Sequence, residues 1–426
     1  MENQNFKKYI ILWLSQWVSQ LGSSMTAFAL VLWAYEQSHS ALSVSVMSFC
    51  QYVPYILLSI VTGAFVDRHS KKAIMLVSDT TAAIGSLTVL LLMTAGHLSV
   101  WHIYIVNAIV GITNAFQQPA SDVAVGKLVP KDKLSNVSGM NSFSNNMVVV
   151  FSPMLASVLF AVGGLPLILL VDLASFAIAF CVLLFFIYIP DQLEEREHSS
   201  PFAGTKEGFL FLKKEKGILY IMLTMALINF FSRLTYENIL SPMILARSGG
   251  SSITLGVVNA FMGIGGIVGG IVVSLKKESR RKASAIYISA ALSFLFGDLI
   301  MAVGNNAFWW SVAAAAASVP IPFIMANQNT ISYQKVPENM QGRVFAVRNA
   351  IQYSTIPAGI LLGGYLADYV FEPFMASGTG FAQLLGNLVG NGSGSGMAVM
   401  FLCTSICGFT VSIFSCFNKE IRKLND

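Results

Sequence analysis

The chain has 426 residues, 55% of them hydrophobic and only 11% charged, with a formal net charge of +5, whereas soluble domains carry roughly a quarter charged residues. This excludes a soluble enzyme or binding module and predicts an all-α membrane protein, because spanning β-strands would be about ten residues long and alternate in polarity, while these runs are apolar on every face. The cysteines Cys50, Cys181, Cys403, Cys407 and Cys416 sit inside or at the ends of apolar runs with no C-x-x-C pair, and read as small buried hydrophobes rather than disulfide or metal ligands.

A bilayer core of roughly 30 Å takes about 20 helical residues to cross. Twelve such windows follow in order, near 9–35, 42–66, 73–95, 99–124, 134–163, 165–189, 217–246, 251–275, 281–303, 307–333, 340–370 and 397–417. Behind Lys7 and Lys8 the first runs for a full crossing, so no cleavable leader is expected. Apart from Arg233 and Arg247, every Lys and Arg falls at a terminus or at the connections after spans 2, 4, 6, 8 and 10, the last group reaching Arg343 and Arg348 at the start of span 11. By the positive-inside rule both termini are predicted to be cytoplasmic.

Span 1 carries Gln16, Gln20 and Ser23 at helical spacing, with Trp13, Trp17 and Phe28 nearby. Span 2 ends in "TGAFVDRHSKKAIM", where Asp67, Arg68, Lys71 and Lys72 crowd together. Topology accounts for the cations; Asp67 reads either as a solvated loop charge or as a placed group. Asp79 lies about two turns into span 3 and Asp172 about two turns into span 6. A charge at the centre of a membrane helix costs about 2.5 to 3.5 kcal/mol on insertion scales, which makes each a functional candidate. Neither has a partner within four residues, so each is a candidate proton carrier, Asp172 ahead of Asp79; a structural hydrogen-bonding role is the alternative.

The longest polar run, "PDQLEEREHSSPFAGTKEGFLFLKKEKG", divides a bundle at 1–190 from one at 217–426. Within 191–216, Phe209 and Leu212 oppose a lysine-rich face, as in an interfacial helix or a plain solvated linker. In span 7, Arg233 and Glu237 stand four residues apart and read first as a self-neutralising ion pair. Asp298, near the outer end of span 9, is either a further coupling candidate or a group reaching the outer headgroups. The glycines Gly263, Gly265, Gly266, Gly269 and Gly270 of span 8 read as close helix packing, and "EPFMASGTGFAQLLGNLVGNGSGSG" as a flexible outer loop.

The halves echo each other: "KLVPKDKLSNVSGMN" resembles "QKVPENMQGRVFAVRN" at an offset that also sets Asp67 on Ser274. Parallel six-helix repeats around a substrate path are a recurrent transporter plan. The stretch from Gly63 through Asp67, Arg68, Lys71 and Lys72 resembles the G-x-x-x-D-R-x-G-R-K signature of the Major Facilitator Superfamily, with Ser70 for the usual glycine and Lys71 for the usual arginine. Within it, "FVDRHSKKAIMLVSD", "NAFQQPA", "KLVPKDKL" and "QGRVFAV" resemble the macrolide-efflux group of drug:proton antiporters.

That resemblance implies a fold of twelve spans in two bundles, and a bacterial inner-membrane exporter of amphipathic drugs that works by alternating access, driven by proton entry, functional as a monomer amid membrane lipid. It also implies that Asp67 caps the inner end of span 11 at Gly342 and Arg343, with Arg68 pairing Asp122. Two departures stand out: span 4 carries Asn107 and Asn114 where family exporters often have an arginine, and span 5 has Val148 in place of the antiporter motif's middle glycine. Another cargo (lysolipid, peptide or siderophore) and an uncoupled facilitator therefore stay open. Substrate-cavity candidates are Gln16, Trp17 and Gln20 on span 1, Asn114, Phe116 and Gln117 on span 4, Asn229, Phe230 and Tyr236 on span 7, Asn327 on span 10, and Gln352 and Tyr353 on span 11, each alternatively interhelical glue. No Walker loop occurs, no histidine sits within a span beside a serine or cysteine, and neither metal, cofactor nor nucleic acid is called for.

Overall fold

A computed structural model describes residues 2–129, 133–189, 205–275, 281–337 and 340–425. Among them every regular element is a helix. The N-terminal part holds α1 (Glu2–Ser38), α2 (Ala41–Arg68), α3 (Lys71–Thr94), α4 (Val100–Leu128) and α5 (Leu134–Cys181). There follow α6 (Thr205–Lys214), α7 (Lys216–Thr235), α8 (Leu240–Arg247), α9 (Ser252–Leu275), α10 (Lys282–Leu292), α11 (Leu299–Val303), α12 (Ala307–Ser318) and α13 (Ile321–Lys335). The chain ends with α14 (Gln341–Leu366), α15 (Glu372–Ala376), α16 (Gly380–Val389), α17 (Ser395–Phe417) and α18 (Lys419–Arg422). Short π-helical turns at Val182–Phe186, Ser293–Asp298 and Ala367–Phe371 follow α5, α10 and α14.

Eight stretches of the described residues are long and apolar enough to cross a membrane, and one of them, Phe143–Phe186, runs through most of two expected windows. Within it the helix breaks at Gly164, with φ 62° and ψ −164°, a region open essentially to glycine alone. The repeat is visible in helix ends: α2 and α9 stop 207 residues apart at Arg68 and Leu275, α4 and α13 likewise at Leu128 and Lys335, and α5 and α14 start 207 apart at Leu134 and Gln341.

The chain forms two compact units, Met1–His39 with Val46–Pro201, and Ser40–Ser45 with Phe202–Asp426. In the first, α1 packs along α5 and α3 along α4, around a core that includes Met25, Ala29, Ile103, Ala156 and Ile168. Local starts follow from capping residues. Ser70 accepts from the Ala73 N–H at 3.4 Å ahead of α3, and before α4 the Ser99 hydroxyl and N–H both engage His102 Nδ1, at 2.8 and 3.1 Å. His102 thus takes the place that glutamate holds in a capping box.

In the second unit α7 packs on α14, α9 on α12, and α10 on α13 and α17. Two expectations change here. The glycine-rich outer segment is not a plain loop: it forms α15 and α16, with Thr379 Oγ1 accepting from Ala382 N–H at 3.4 Å and Phe381, Leu384 and Leu388 on one exposed face. Apolar residues at helical spacing outweigh the flanking glycines, which lie at Gly378, Gly390, Gly392 and Gly394 with positive φ, outside the helix. In α6, Phe209 and Leu212 do not share a free face. Leu212 is fully buried among Ile218, Met222, Val336 and Val344, while Phe209 is exposed.

Candidate functional site

Helices α1 to α5 line an open cavity of about 820 Å³ within the N-terminal unit. Its α1 wall repeats every third or fourth residue: Trp13, Gln16, Trp17, Gln20 and Ser23. The rings of Trp13 and Trp17 are parallel-stacked at 6.3 Å, and their buried indole N–H groups have no protein acceptor. The lining mixes polar and apolar groups about equally, with amides from α4 (Asn107, Asn114, Gln117) and α5 (Asn141, Asn145) beside Leu12, Leu30, Val106 and Val148. Among the described residues it carries Asp79, Asp122 and Asp172 and no Lys, Arg or His.

Both deep carboxylates have partners, supplied by other helices rather than by their own. Asp79 accepts from Gln117 Nε2 and from Gln16 Nε2 at 3.3 Å. Asp172 is 4% exposed and accepts three hydroxyls, Ser23 at 3.0 Å, Thr26 at 3.0 Å and Ser86 at 2.8 Å. The α1 backbone approaches it closely at Gly22, where an added Cβ would meet Asp172 Oδ1 at 3.1 Å. A side chamber of about 30 Å³ is lined by Asp79, Asp172, Ser19 and Ser23, room for a water molecule with several polar neighbours. A carboxylate held only by neutral donors can change protonation without breaking an ion pair.

The remaining candidates are placed differently. Phe116 packs edge-on against Phe65, with centroids 5.2 Å apart, and is absent from the cavity wall. Asn229, Phe230, Arg233, Tyr236, Glu237, Asp298, Asn327, Gln352 and Tyr353 belong to the other unit. Arg233 pairs directly with Glu237, as the four-residue spacing predicts. Asp298 is 1% exposed and accepts from Thr404 Oγ1 at 2.6 Å; it does not reach headgroups, because the π turn at Ser293–Asp298 carries it into the packing against α17. The Tyr236 hydroxyl lies close to that carboxylate without meeting hydrogen-bond geometry, and its ring stands edge-on to Phe401 at 5.3 Å. Asn327 Nδ2 bonds its own helix at Phe323 O, 2.7 Å, Gln352 is buried, and Tyr353 is half-exposed.

At the signature, Lys72 Nζ donates to the carbonyls of Leu184 and Ile187 at 2.9 and 2.8 Å, closing the C-terminal end of the π turn that follows α5. Lys71 is buried at 2% exposure. Asp122 accepts from Gln118 Nε2 at 3.2 Å. The side chains of Gly63, Asp67, Arg68, Gly342 and Arg343, and with them the expected inner latch, lie outside the described residues. Sequence reading missed two acids, Asp368 and Glu372. Glu372 accepts from Met397 N–H at 2.9 Å and Gly394 N–H at 3.3 Å, at the start of α17. Their four-residue spacing at the end of an apolar window was the available signal.

Comparison with known proteins gives a consistent picture. The profile of the Major Facilitator Superfamily matches residues 12–360. The chain is 26% identical over 381 residues to Macrolide efflux protein A of Streptococcus pyogenes, covering 87% of this chain and 93% of that protein. It is 24% identical over 371 residues to the Staphyloferrin A transporter of Staphylococcus aureus (strain NCTC 8325 / PS 47), covering 85% and 88%. Among solved structures, the inward-facing bacterial homologue of the iron transporter ferroportin superposes with a TM-score of 0.69 at 15% identity, covering 97% of this chain and 99% of that one. At that identity the likeness speaks for the fold.

Proposed function

Since this chain belongs to the Major Facilitator Superfamily, we propose that it is a proton-coupled exporter of amphipathic, amine-bearing drugs such as macrolides. It is a multi-pass cell-membrane transporter of small molecules and not an enzyme. In the proposed cycle twelve spans, with both termini cytoplasmic, form two bundles at 1–190 and 217–426 that rock around the cargo, and the protein works as a monomer in the lipid of a bacterial inner membrane. The inner signature, Gly63, Asp67, Arg68, Lys71, Lys72 and Asp122 with Gly342 and Arg343, opens and closes the inner side.

One observation carries the choice of cargo and ion: a cavity whose wall holds Asp79, Asp122 and Asp172 with no described cation. In a site partly shut off from water, an unpaired carboxylate attracts either a proton or a cationic group. Cargo amine and proton then compete for the same acids, which couples export to proton entry. Asp172 is the principal carrier and Asp79 its neighbour across the small chamber. No arginine on span 4 is required, because Gln16, Gln117 and the three hydroxyls hold the acids without charge.

A siderophore cargo is the second reading, favoured by the similarity to the Staphyloferrin A transporter. An anionic cargo meets the wrong sign of charge in this cavity. The deciding experiment reconstitutes the protein in liposomes under an imposed pH gradient and follows a fluorescent amphipathic amine and an anionic siderophore. Gradient-dependent uptake of the amine, lowered at least tenfold by Asp172→Asn, is expected. Gradient-independent movement would overturn proton coupling, and movement of the siderophore alone would overturn the cationic cargo.

A further inference from the structure

Between Glu372 and Met397 the chain carries no Asp, Glu, Lys, Arg or His, yet it folds. Its helix α16 (Gly380–Val389) has ten residues, about 15 Å of length, half of what a bilayer crossing takes. Gly390, with φ 90°, stops it at the C-terminal end.

At about 100° per residue, the circumference of α16 divides into three arcs. Ala382, Gly386 and Val389 form a buried one, where the Asn391 side chain lies so close to Gly386 that an added Cβ would collide with it. Gln383 and Asn387 form an exposed polar arc. Phe381, Leu384 and Leu388 form the third, at 64%, 62% and 50% exposure, and the Phe381 ring continues it onto Phe374 of α15, with centroids 6.2 Å apart. A helix resting on its own protein in water needs one buried arc and one wet arc. A separate, uncovered apolar arc calls for a second apolar neighbour.

The ends of membrane spans surround this helix. It packs on α11, α15 and α17; α11 closes the span Lys282–Val303, and α17 opens the span Ser395–Phe417. A third span, Lys216–Arg247, ends at the residue that fastens the helix. Arg247 Nη2 donates to Val389 O at 2.5 Å, at the C-terminal end of α16, where a cation complements the helix dipole. The guanidinium also stands 5.8 Å from the centroid of the Trp310 ring, and an added Cβ at Gly394 would meet Arg247 Cγ at 2.7 Å. Arg247 is one of the two cations that the charges of the connections leave unexplained; its place at the end of α16 supplies the reason.

We propose that α16 is an interfacial helix, lying along the bilayer surface with Phe381, Leu384 and Leu388 in the lipid, Gln383 and Asn387 toward water, and Arg247 fixing its roll. On the topology proposed above this is the outer leaflet. The proposal itself rests on the chain being a membrane protein and on no cargo or coupling ion. Lipid fits this face better than a second copy of the chain, because three side chains on so short a helix present far less than the roughly 800 Å² per partner of a stable interface. With no cation on the polar arc, its seat in the membrane owes nothing to anionic headgroups.

The test uses the full-length protein with its five cysteines replaced by serine, reconstituted in phosphatidylcholine vesicles and spin-labelled at Leu384→Cys, Leu388→Cys or Asn387→Cys, one site at a time. Collision of the label with oxygen, which concentrates in lipid, is compared with collision with a neutral, water-soluble nickel chelate. The oxygen-to-nickel ratio is expected to be roughly tenfold higher at 384 and 388 than at 387, and to stay so when anionic phosphatidylglycerol is added. Leu388→Cys serves if the Leu384 variant does not fold. In Arg247→Gln the contrast should shrink to roughly threefold, as the cation leaves the end of the helix. Equal ratios at the three sites would overturn the interfacial placement. So would labels at 384 and 388 shielded from both reagents, with spin–spin broadening between copies, the signature of a second chain on this face. A contrast that appears only with anionic lipid would overturn the uncharged seat, and one undiminished in Arg247→Gln would overturn the part given to Arg247.

Discussion

The two units bury acids on opposite principles. In the N-terminal unit Asp79 and Asp172 face a cavity and are held by neutral amides and hydroxyls alone. In the C-terminal unit the described acids lie away from that cavity: Glu237 pairs with Arg233, Glu372 and Asp368 accept from backbone N–H groups at helix starts, and Asp298 accepts from Thr404. Helix ends repeat 207 residues apart in the two units, so duplication fixed the backbone plan without fixing where titratable chemistry lies. What each carboxylate can do follows from the groups that hold it, not from which positions correspond.

The sharpest way to break this contrast compares Asp172→Leu with Asp298→Leu in the same membrane. The first is expected to abolish gradient-driven export, more than tenfold down per folded molecule, and also to lower stability, because it removes the acceptor of the Ser23, Thr26 and Ser86 hydroxyls. The second is expected to cost about 1 kcal/mol of stability, since it removes the shorter of the two hydrogen bonds of the Thr404 hydroxyl and leaves it the Phe401 carbonyl at 3.1 Å, with export per folded molecule retained. Equal loss of export in both would erase the distinction between the units.

A smaller effect tests whether Arg233 and Glu237 matter only to each other. Arg233→Gln leaves a half-buried carboxylate uncompensated and should lower the melting temperature by several degrees, whereas Arg233→Gln with Glu237→Gln should recover most of it. Transport lost in the double variant despite recovered stability would move the pair from scaffold to mechanism.

The mildest effect concerns Glu372, outside the spans. Burial pushes its carboxyl above the usual range, partly offset by the Met397 and Gly394 N–H groups. A raised folded-state value means the fold binds that proton more tightly than the unfolded chain. The associated stability is present below the ordinary glutamate range, about 4.3, and fades as pH rises through the raised value. Glu372→Gln should flatten that part of the melting-temperature profile without altering export; a profile unchanged between pH 4 and 7 would contradict it.

Much of this was legible in the chain itself. Apolar runs and loop charges gave the membrane class, the echo around Pro130 and Pro337 pointed to the offset that helix ends display, and the i,i+4 spacing identified Arg233 with Glu237. What escaped depends on contacts between distant segments. Asp172 and Asp79 looked partnerless because their donors come from α1, α3 and α4, far away in sequence. Leu212 was misplaced because a lysine-rich helix can still push one side chain into a core. Glycine punctuation hid α16, although Phe381, Leu384 and Leu388 already recur at helical spacing. Asp368 and Glu372 drew no notice because their four-residue spacing does not show which distant N–H groups they meet.

The break at Gly164 has a consequence of handedness. With φ 62° and ψ −164°, its backbone is the mirror image of an extended, polyproline-like conformation that ordinary residues adopt freely. An L-alanine there would be strained whatever the room around it, while a D-alanine, introduced by chemical ligation, would fit the reversal and stiffen it.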